Sequence, residues 1–363
     1  MSKIFLVDLE AVSTRYTGEW KDHVPQLLKK AGHDVNIISG PTDIPSATTP
    51  GAFLNFGGTN IYKAKQVETM GRLFCDGAVG SGDHFIFTDA WHPGIINLKY
   101  MSELLGIPVV THGLWHAGSY DPQDFLGRLV GNKSWVRNAE KSFYSSFDHN
   151  YFATEFHVKM FFDNLLHNYP SENPWYEEDW AERYDSGKIV RTGWPMEYMQ
   201  DTLGPYKGMT KRDLILFPHR IAPEKQVEIF RDLAVHLPQY EFVVCQDRQL
   251  TKKEYHTLLG QAKMVFSANL QETLGISCYE GAVVDAIPMV PDRLSYTEMY
   301  FDIFKYESKW TESWESYNVY RVDLCRAIMT HMDYYDARLS KLKDQTTNLT
   351  ENFFTSNSLL NNL

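Results

Sequence analysis

The sequence predicts an α/β protein of two domains, each built on a mainly parallel sheet with helices on both faces. Three observations carry this. Short apolar runs alternate with helix-spaced segments through the first third of the chain, the same rhythm restarts near residue 214, and 363 residues make about two domains of ordinary size. Hydrophobic residues make up 43% and charged residues 22%, so a folded core is expected rather than a disordered chain. The arrangement is Rossmann-like, and ligands of such sheets sit beyond the carboxyl ends of the strands.

Taken in order, strands are expected over 4–7, 34–38, 52–55, 84–88 and 108–111, and helices over 20–31, 63–73 and 95–105. The runs are rich in Val, Ile and Phe and each gives way to a polar loop, as strands covered on both faces do. Residues 171–186 set six acidic side chains against Arg183 alone and read as an exposed insertion. Residues 201–211, with Gly204, Pro205 and Gly208, read as a linker. The second series places strands over 214–217, 242–245 and 264–267, and helices over 225–237 and 252–262. Residues 348–363 are rich in Asn and Ser and read as a frayed helix or tail. The expected division is therefore 1–205, 206–340, and a C-terminal helix or tail over 341–363 that crosses back to the first domain.

A net charge of −11 excludes a globally basic nucleic-acid coat and leaves room only for a local basic groove. Cys75, Cys245, Cys278 and Cys325 are far apart, so neither a thiolate zinc cluster nor a disulfide framework is suggested. The apolar run 4–7 is cut off by Asp8 and is too short for a signal peptide. No stretch reaches the roughly 18 apolar residues of a membrane span. A cytoplasmic protein without a membrane anchor is the expectation.

Residues 267–291 hold two glutamates eight apart, Glu272 and Glu280, where a strand end, a loop and a helix succeed one another. A helix starting just after Glu272 would offer the amides of Thr273, Leu274 and Gly275 to a diphosphate. Glu280 would lie two turns along, offset by about 80°, where a carboxylate accepts from both hydroxyls of a ribose. Upstream, the strand over 214–217 runs into Pro218-His219-Arg220 and on to Lys225. Two cations at a strand-to-helix turn on the same sheet edge suit the charge of a departing diphosphate.

Together these segments resemble the retaining GT-B glycosyltransferases of the group-4 family, which use nucleotide sugars. The resemblance rests on Arg-x4-Lys at Arg220 and Lys225, E-x7-E at Glu272 and Glu280, Glu-x-Leu-Gly at 272–275 and Ala-Ile-Pro at 286–288, with a weaker match over 188–195. It implies two Rossmann-like domains facing a cleft, with Arg220 and Lys225 on the donor phosphates. Glu280 would hold the ribose, and Glu272 with the amides after it the sugar and its phosphate. It implies no protein nucleophile and no metal, in keeping with the absence of Asp-x-Asp from the chain. The donor would be a nucleoside-diphosphate sugar, UDP-sugar favoured, with no other cofactor.

The first domain would then serve the acceptor. The resemblance implies a histidine at a strand end contacting the transferred sugar, for which His112 fits best, with His116 close behind. At the position of the family's glycine-rich loop only Gly18 is present, with Arg15 as a substitute charge. Asp89 ends a strand and would either bind an acceptor hydroxyl or cap a helix. Residues 128–141 gather Arg128, Lys133, Arg137 and Lys141 around Trp135, either a solvated helix face or a groove for a nucleic-acid backbone. The opening residues look like glycosyltransferases of tailed bacteriophages, and the implied acceptor is 5-hydroxymethylcytosine in double-stranded DNA, presented as an extruded base. A saccharide, small-molecule or protein acceptor, an epimerase or phosphorylase of the same fold, and a non-catalytic binding protein are the alternatives.

Overall fold

The computed structural model describes residues 2–12, 16–45, 54–166 and 174–363. The chain divides into two compact units, Met1–Thr192 with Ser356–Leu363, and Gly193–Thr355. The first holds strands β1 (Lys3–Val7), β2 (Asp34–Ile38), β3 (His84–Phe87), β4 (Val110–Trp115), β5 (His149–Phe152) and β6 (Ile189–Arg191). They form one sheet in the order β2-β1-β3-β4-β5-β6, every pair parallel. Helices cover it with stripes set four residues apart. Trp20, Val24 and Leu28 are buried on the Tyr16–Lys30 helix, and Tyr62, Gln66, Met70 and Phe74 on the Phe56–Cys75 helix.

Several expectations change here. The strand over 52–55 falls partly on residues outside those described, and Asn55 is the cap of the Phe56–Cys75 helix, its side chain accepting from the Gly58 amide at 2.8 Å. Strand β4 runs on to Trp115 instead of stopping at 111. Gly113 lies within it because a Cβ there would meet the Phe147 ring at 2.6 Å. The acidic segment forms the Pro174–Asp185 helix. Trp180 and Tyr184 pack against the first core, and Arg183 donates to the Tyr144 hydroxyl at 2.8 Å, so that much of the segment is no solvated insertion.

The second unit holds β7 (Arg212–Phe217), β8 (Glu241–Val244), β9 (Ala262–Phe266), β10 (Ile287–Pro291) and β11 (Lys305–Tyr306), all parallel, in the order β11-β10-β9-β7-β8. Its own core gathers Ile215, Phe217, Phe230, Met264, Phe266, Tyr317 and Ile328. The unit begins at Gly193, earlier than the linker read over 201–211. The first half of that stretch is instead helical, in the Tyr198–Leu203 helix and the 3₁₀ turn Gly204–Tyr206, and Gln200 on the same helix donates to Tyr279 at 2.9 Å and Thr350 at 3.0 Å. Gly193 has φ +70°, and a Cβ on it would strike the Phe353 carbonyl oxygen at 2.5 Å. The stretch after 348 is not frayed. The Tyr335–Asn352 helix continues into buried Phe353 and Phe354, the latter stacked on Tyr279 at 3.7 Å, and only Ser356–Leu363 groups with the first unit.

Candidate functional site

In the second sheet the chain passes from β7 to β8 on one side and reaches β9 on the other. Loops that leave β7 and β9 therefore diverge at the carboxyl edge and open a crevice, the place where sheets of this kind bind ligands. The β7 loop carries Arg220 and Lys225, and the β9 loop carries Glu272. Structure thus brings three of the predicted residues to one edge.

After β7 the chain makes a one-turn 3₁₀ helix, Pro223–Lys225, and reverses at Gln226, whose φ of +53° is held because its buried amide donates to the carbonyls of Ala268 at 2.6 Å and Thr311 at 2.7 Å. Arg220 is ion-paired with Glu224, whose side chain is 1% exposed. A buried carboxylate fixes that guanidinium at the rim. The Glu224 carbonyl also accepts from the Leu270 amide at 2.8 Å, which ties the two loops together. Lys225 is buried, and its Nζ donates to the Gln271 carbonyl and stands 3.5 Å from Glu272 Oε2.

Glu272 precedes the helix instead of opening it. The helix is Ile276–Val283, capped at Gly275, so the offset expected for two glutamates on one helix does not apply. The amides of Thr273 and Leu274 turn back onto Glu272 Oε1 at 3.1 and 3.4 Å, and the first helical amides are those of Ile276 and Ser277. Burial alone would raise the Glu272 carboxyl. Lys225 and the amides of Gly275 and Leu274 outweigh it and hold the group below its ordinary value. His219 is driven down to about 3 by burial and stays neutral, its Nδ1 3.2 Å from Ser277 Oγ. Gly275 has φ +73°, and a Cβ on it would lie 2.7 Å from the Tyr296 ring.

Residues with no local signature hold this loop in shape. Arg293 donates from Nε to the Asn269 carbonyl at 2.8 Å and from its terminal nitrogens to the carbonyls of Ala268 at 2.8 Å, Ser308 at 2.9 Å and Thr311 at 3.1 Å. The Asn269 amide donates to Glu272 Oε2 at 3.3 Å and to the Tyr296 hydroxyl at 3.1 Å. Glu280 lies one turn into the helix. Its Oε2 accepts from the Tyr255 hydroxyl at 2.7 Å, and burial raises its carboxyl against the pull of Tyr255 and Lys252.

The first unit departs further from expectation. His112 is not at a strand end. It is fully buried inside β4, stacked between His84 and His149 at ring separations of 5.2 and 5.0 Å, and 2.9 Å from the Tyr151 hydroxyl, so it is part of the sheet packing. His116 follows the true end of β4. Its Nε2 donates to the Thr88 carbonyl at 2.6 Å, and its Nδ1 accepts from the Tyr16 hydroxyl at 2.8 Å. Gly18 lies in the first turn of the Tyr16–Lys30 helix and so forms no glycine loop, and Arg15 is outside the described residues. Asp89 pairs with Lys63 at 2.9 Å and accepts from the Trp91 amide at 3.0 Å. In the segment 128–141, Arg128, Lys133, Trp135 and Arg137 are exposed, whereas the acid among them, Glu140, is buried against Ser119 and Trp91. The outward face of that segment is therefore basic.

No protein-family model matches the chain, and no curated sequence does. Solved structures do match. Sucrose-phosphate synthase from Thermosynechococcus elongatus aligns over 100% of this chain and 97% of its own, at 10% identity and a TM-score of 0.61. The catalytic domain of starch synthase IV from Arabidopsis thaliana, bound to ADP and acarbose, aligns over 99% and 97%, at 10% identity and a TM-score of 0.57. Anabaena HepE in complex with UDP and glucose aligns over 100% and 98%, at 11% identity and a TM-score of 0.55. The chain has the two-domain Rossmann-like fold of these GT-B glycosyltransferases.

Proposed function

We propose that the chain transfers a glycosyl group from a nucleoside-diphosphate sugar to an acceptor hydroxyl with retention of configuration. The observation that carries this reading is the meeting of Arg220, Lys225 and Glu272 at the switch-point edge of the second sheet. When the bond from the sugar to the diphosphate breaks, negative charge grows on the departing phosphate. A guanidinium fixed by Glu224 and a buried ammonium stabilise that charge more than they stabilise the intact donor. Glu272 is kept ionised by Lys225 and the amides around it, so it serves as a hydrogen-bond acceptor for sugar hydroxyls. Glu280 accepts from the ribose. In the retaining reading the departing phosphate takes the acceptor proton on the same face, and the site asks for no protein nucleophile.

In the first unit His116 replaces His112 as the histidine at the acceptor edge, because it stands where β4 ends. For the acceptor itself, the basic and aromatic face of Arg128, Lys133, Trp135 and Arg137 supports a polyanion. The reading to test first is 5-hydroxymethylcytosine in double-stranded DNA. The experiment is thermal stabilisation by UDP, ADP and GDP, then nucleotide release from the matching sugar with and without hydroxymethylated DNA. Release that depends on the DNA supports both donor and acceptor. Release with saccharides or proteins instead keeps the transferase and moves the acceptor, turnover without any acceptor points to an epimerase, and a chain that no nucleotide stabilises refutes the proposal.

A further inference from the structure

The nucleotide side of the site contains a contact that the Arg-x4-Lys and E-x7-E motifs do not explain. Tyr255 sits on the Lys252–Gln261 helix, whose start is fixed by a capping box. Thr251 Oγ1 accepts from the Glu254 amide at 3.3 Å, and Glu254 Oε2 accepts from the Thr251 amide at 2.8 Å. One turn in, the Tyr255 hydroxyl reaches across to the neighbouring helix and donates to Oε2 of Glu280 at 2.7 Å. No hydrogen-bond partner of Oε1 is found among the described residues.

We propose that Tyr255 is a positioning residue for nucleotide binding: its hydroxyl fixes Oε2 of Glu280, keeps the carboxylate in its accepting state, and leaves Oε1 for the ribose diol. The inference rests on the donor-site reading above and adds to it the group that makes Glu280 usable. The surroundings require such a group. Burial favours the protonated acid, which would offer the ribose a donor where an acceptor is needed. Lys252 faces Glu280 from the same helix as Tyr255. The thiols nearby, Cys245 at the end of β8 and Cys278 on the helix of Glu280 itself, are both pushed up by burial to about 12 and stay uncharged. The Tyr255 hydroxyl is likewise raised and remains a donor at every working pH.

The test is UDP affinity by calorimetry between about pH 5 and 9 for the wild type, Tyr255→Phe and Glu280→Gln. Affinity that needs an ionised Glu280 is present at high pH and lost as pH falls through the carboxyl's titration. In Tyr255→Phe that acid limb moves up by about one pH unit, so the variant binds up to about tenfold more weakly on the limb and converges with wild type at high pH. A merely structural loss would not be rescued by raising the pH. In Glu280→Gln the limb disappears. The inference is overturned if Tyr255→Phe titrates like wild type, if its deficit is the same at every pH, or if the limb survives in Glu280→Gln. Wild type that binds none of UDP, ADP or GDP overturns the donor-site reading itself, and this inference with it.

Discussion

At the scale of single residues, Gly275 is required twice over. Its left-handed backbone disfavours any side chain, and the Tyr296 ring occupies the space a Cβ would take. Gly275→Ala is expected to cost about 2–4 kcal/mol, measured by denaturant unfolding. Arg220→Ala tests chemistry instead. Because phosphate charge is greatest as the bond breaks, kcat should fall about 100-fold or more while the donor KM changes little, and an equal loss in both would contradict the role. That Arg220, Lys225 and Glu272 come to one sheet edge was legible because each follows a strand end closely in the sequence. Asn269, Arg293 and Tyr255 were not legible in this way. They act through contacts that span many residues, and nothing local marks an arginine that binds carbonyls from a tyrosine or lysine on the surface.

At the scale of elements, alternating apolar runs located most strands, since a parallel sheet buried on both faces tolerates little else. The errors have identifiable causes. The strand read over 108–111 runs on to Trp115, and Gly113 sits inside it because the Phe147 ring packs where its side chain would be. The Pro174–Asp185 helix looked solvated by charge count, yet Trp180 and Tyr184 give it an apolar side. The Lys252–Gln261 helix was read within a residue, although its capping box was not. Thr251→Ala should lower stability by about 1 kcal/mol in thermal melts, and it should weaken UDP binding because the helix start also sets the height of Tyr255.

For the whole molecule, the buried histidines make a common prediction. Burial lowers His92, His157 and His219 to about 3 and holds His112 well below its ordinary value. These rings are neutral when folded at pH values where the unfolded chain binds protons. Stability should therefore be full above about pH 6.5 and fall below it, each ring costing about 1.4 kcal/mol per pH unit. Melting temperatures from neutral to acid pH test this, and His112→Gln should flatten the slope by about one proton. At 10% identity to sucrose-phosphate synthase, what the two chains share is the fold. That is the level at which the sequence was readable, and it explains why the architecture was legible while the acceptor was not.

Arg293 bears on the time course of binding. Its guanidinium clamps the carbonyls of Ala268, Asn269, Ser308 and Thr311, so the loop that carries Glu272 has its shape before any donor arrives. The entropy of ordering that loop is spent during folding and not at encounter. Donor association should then be a single step limited by diffusion and orientation, without a slow rearrangement of this segment, and differences in affinity among nucleotides should appear in how long each one stays.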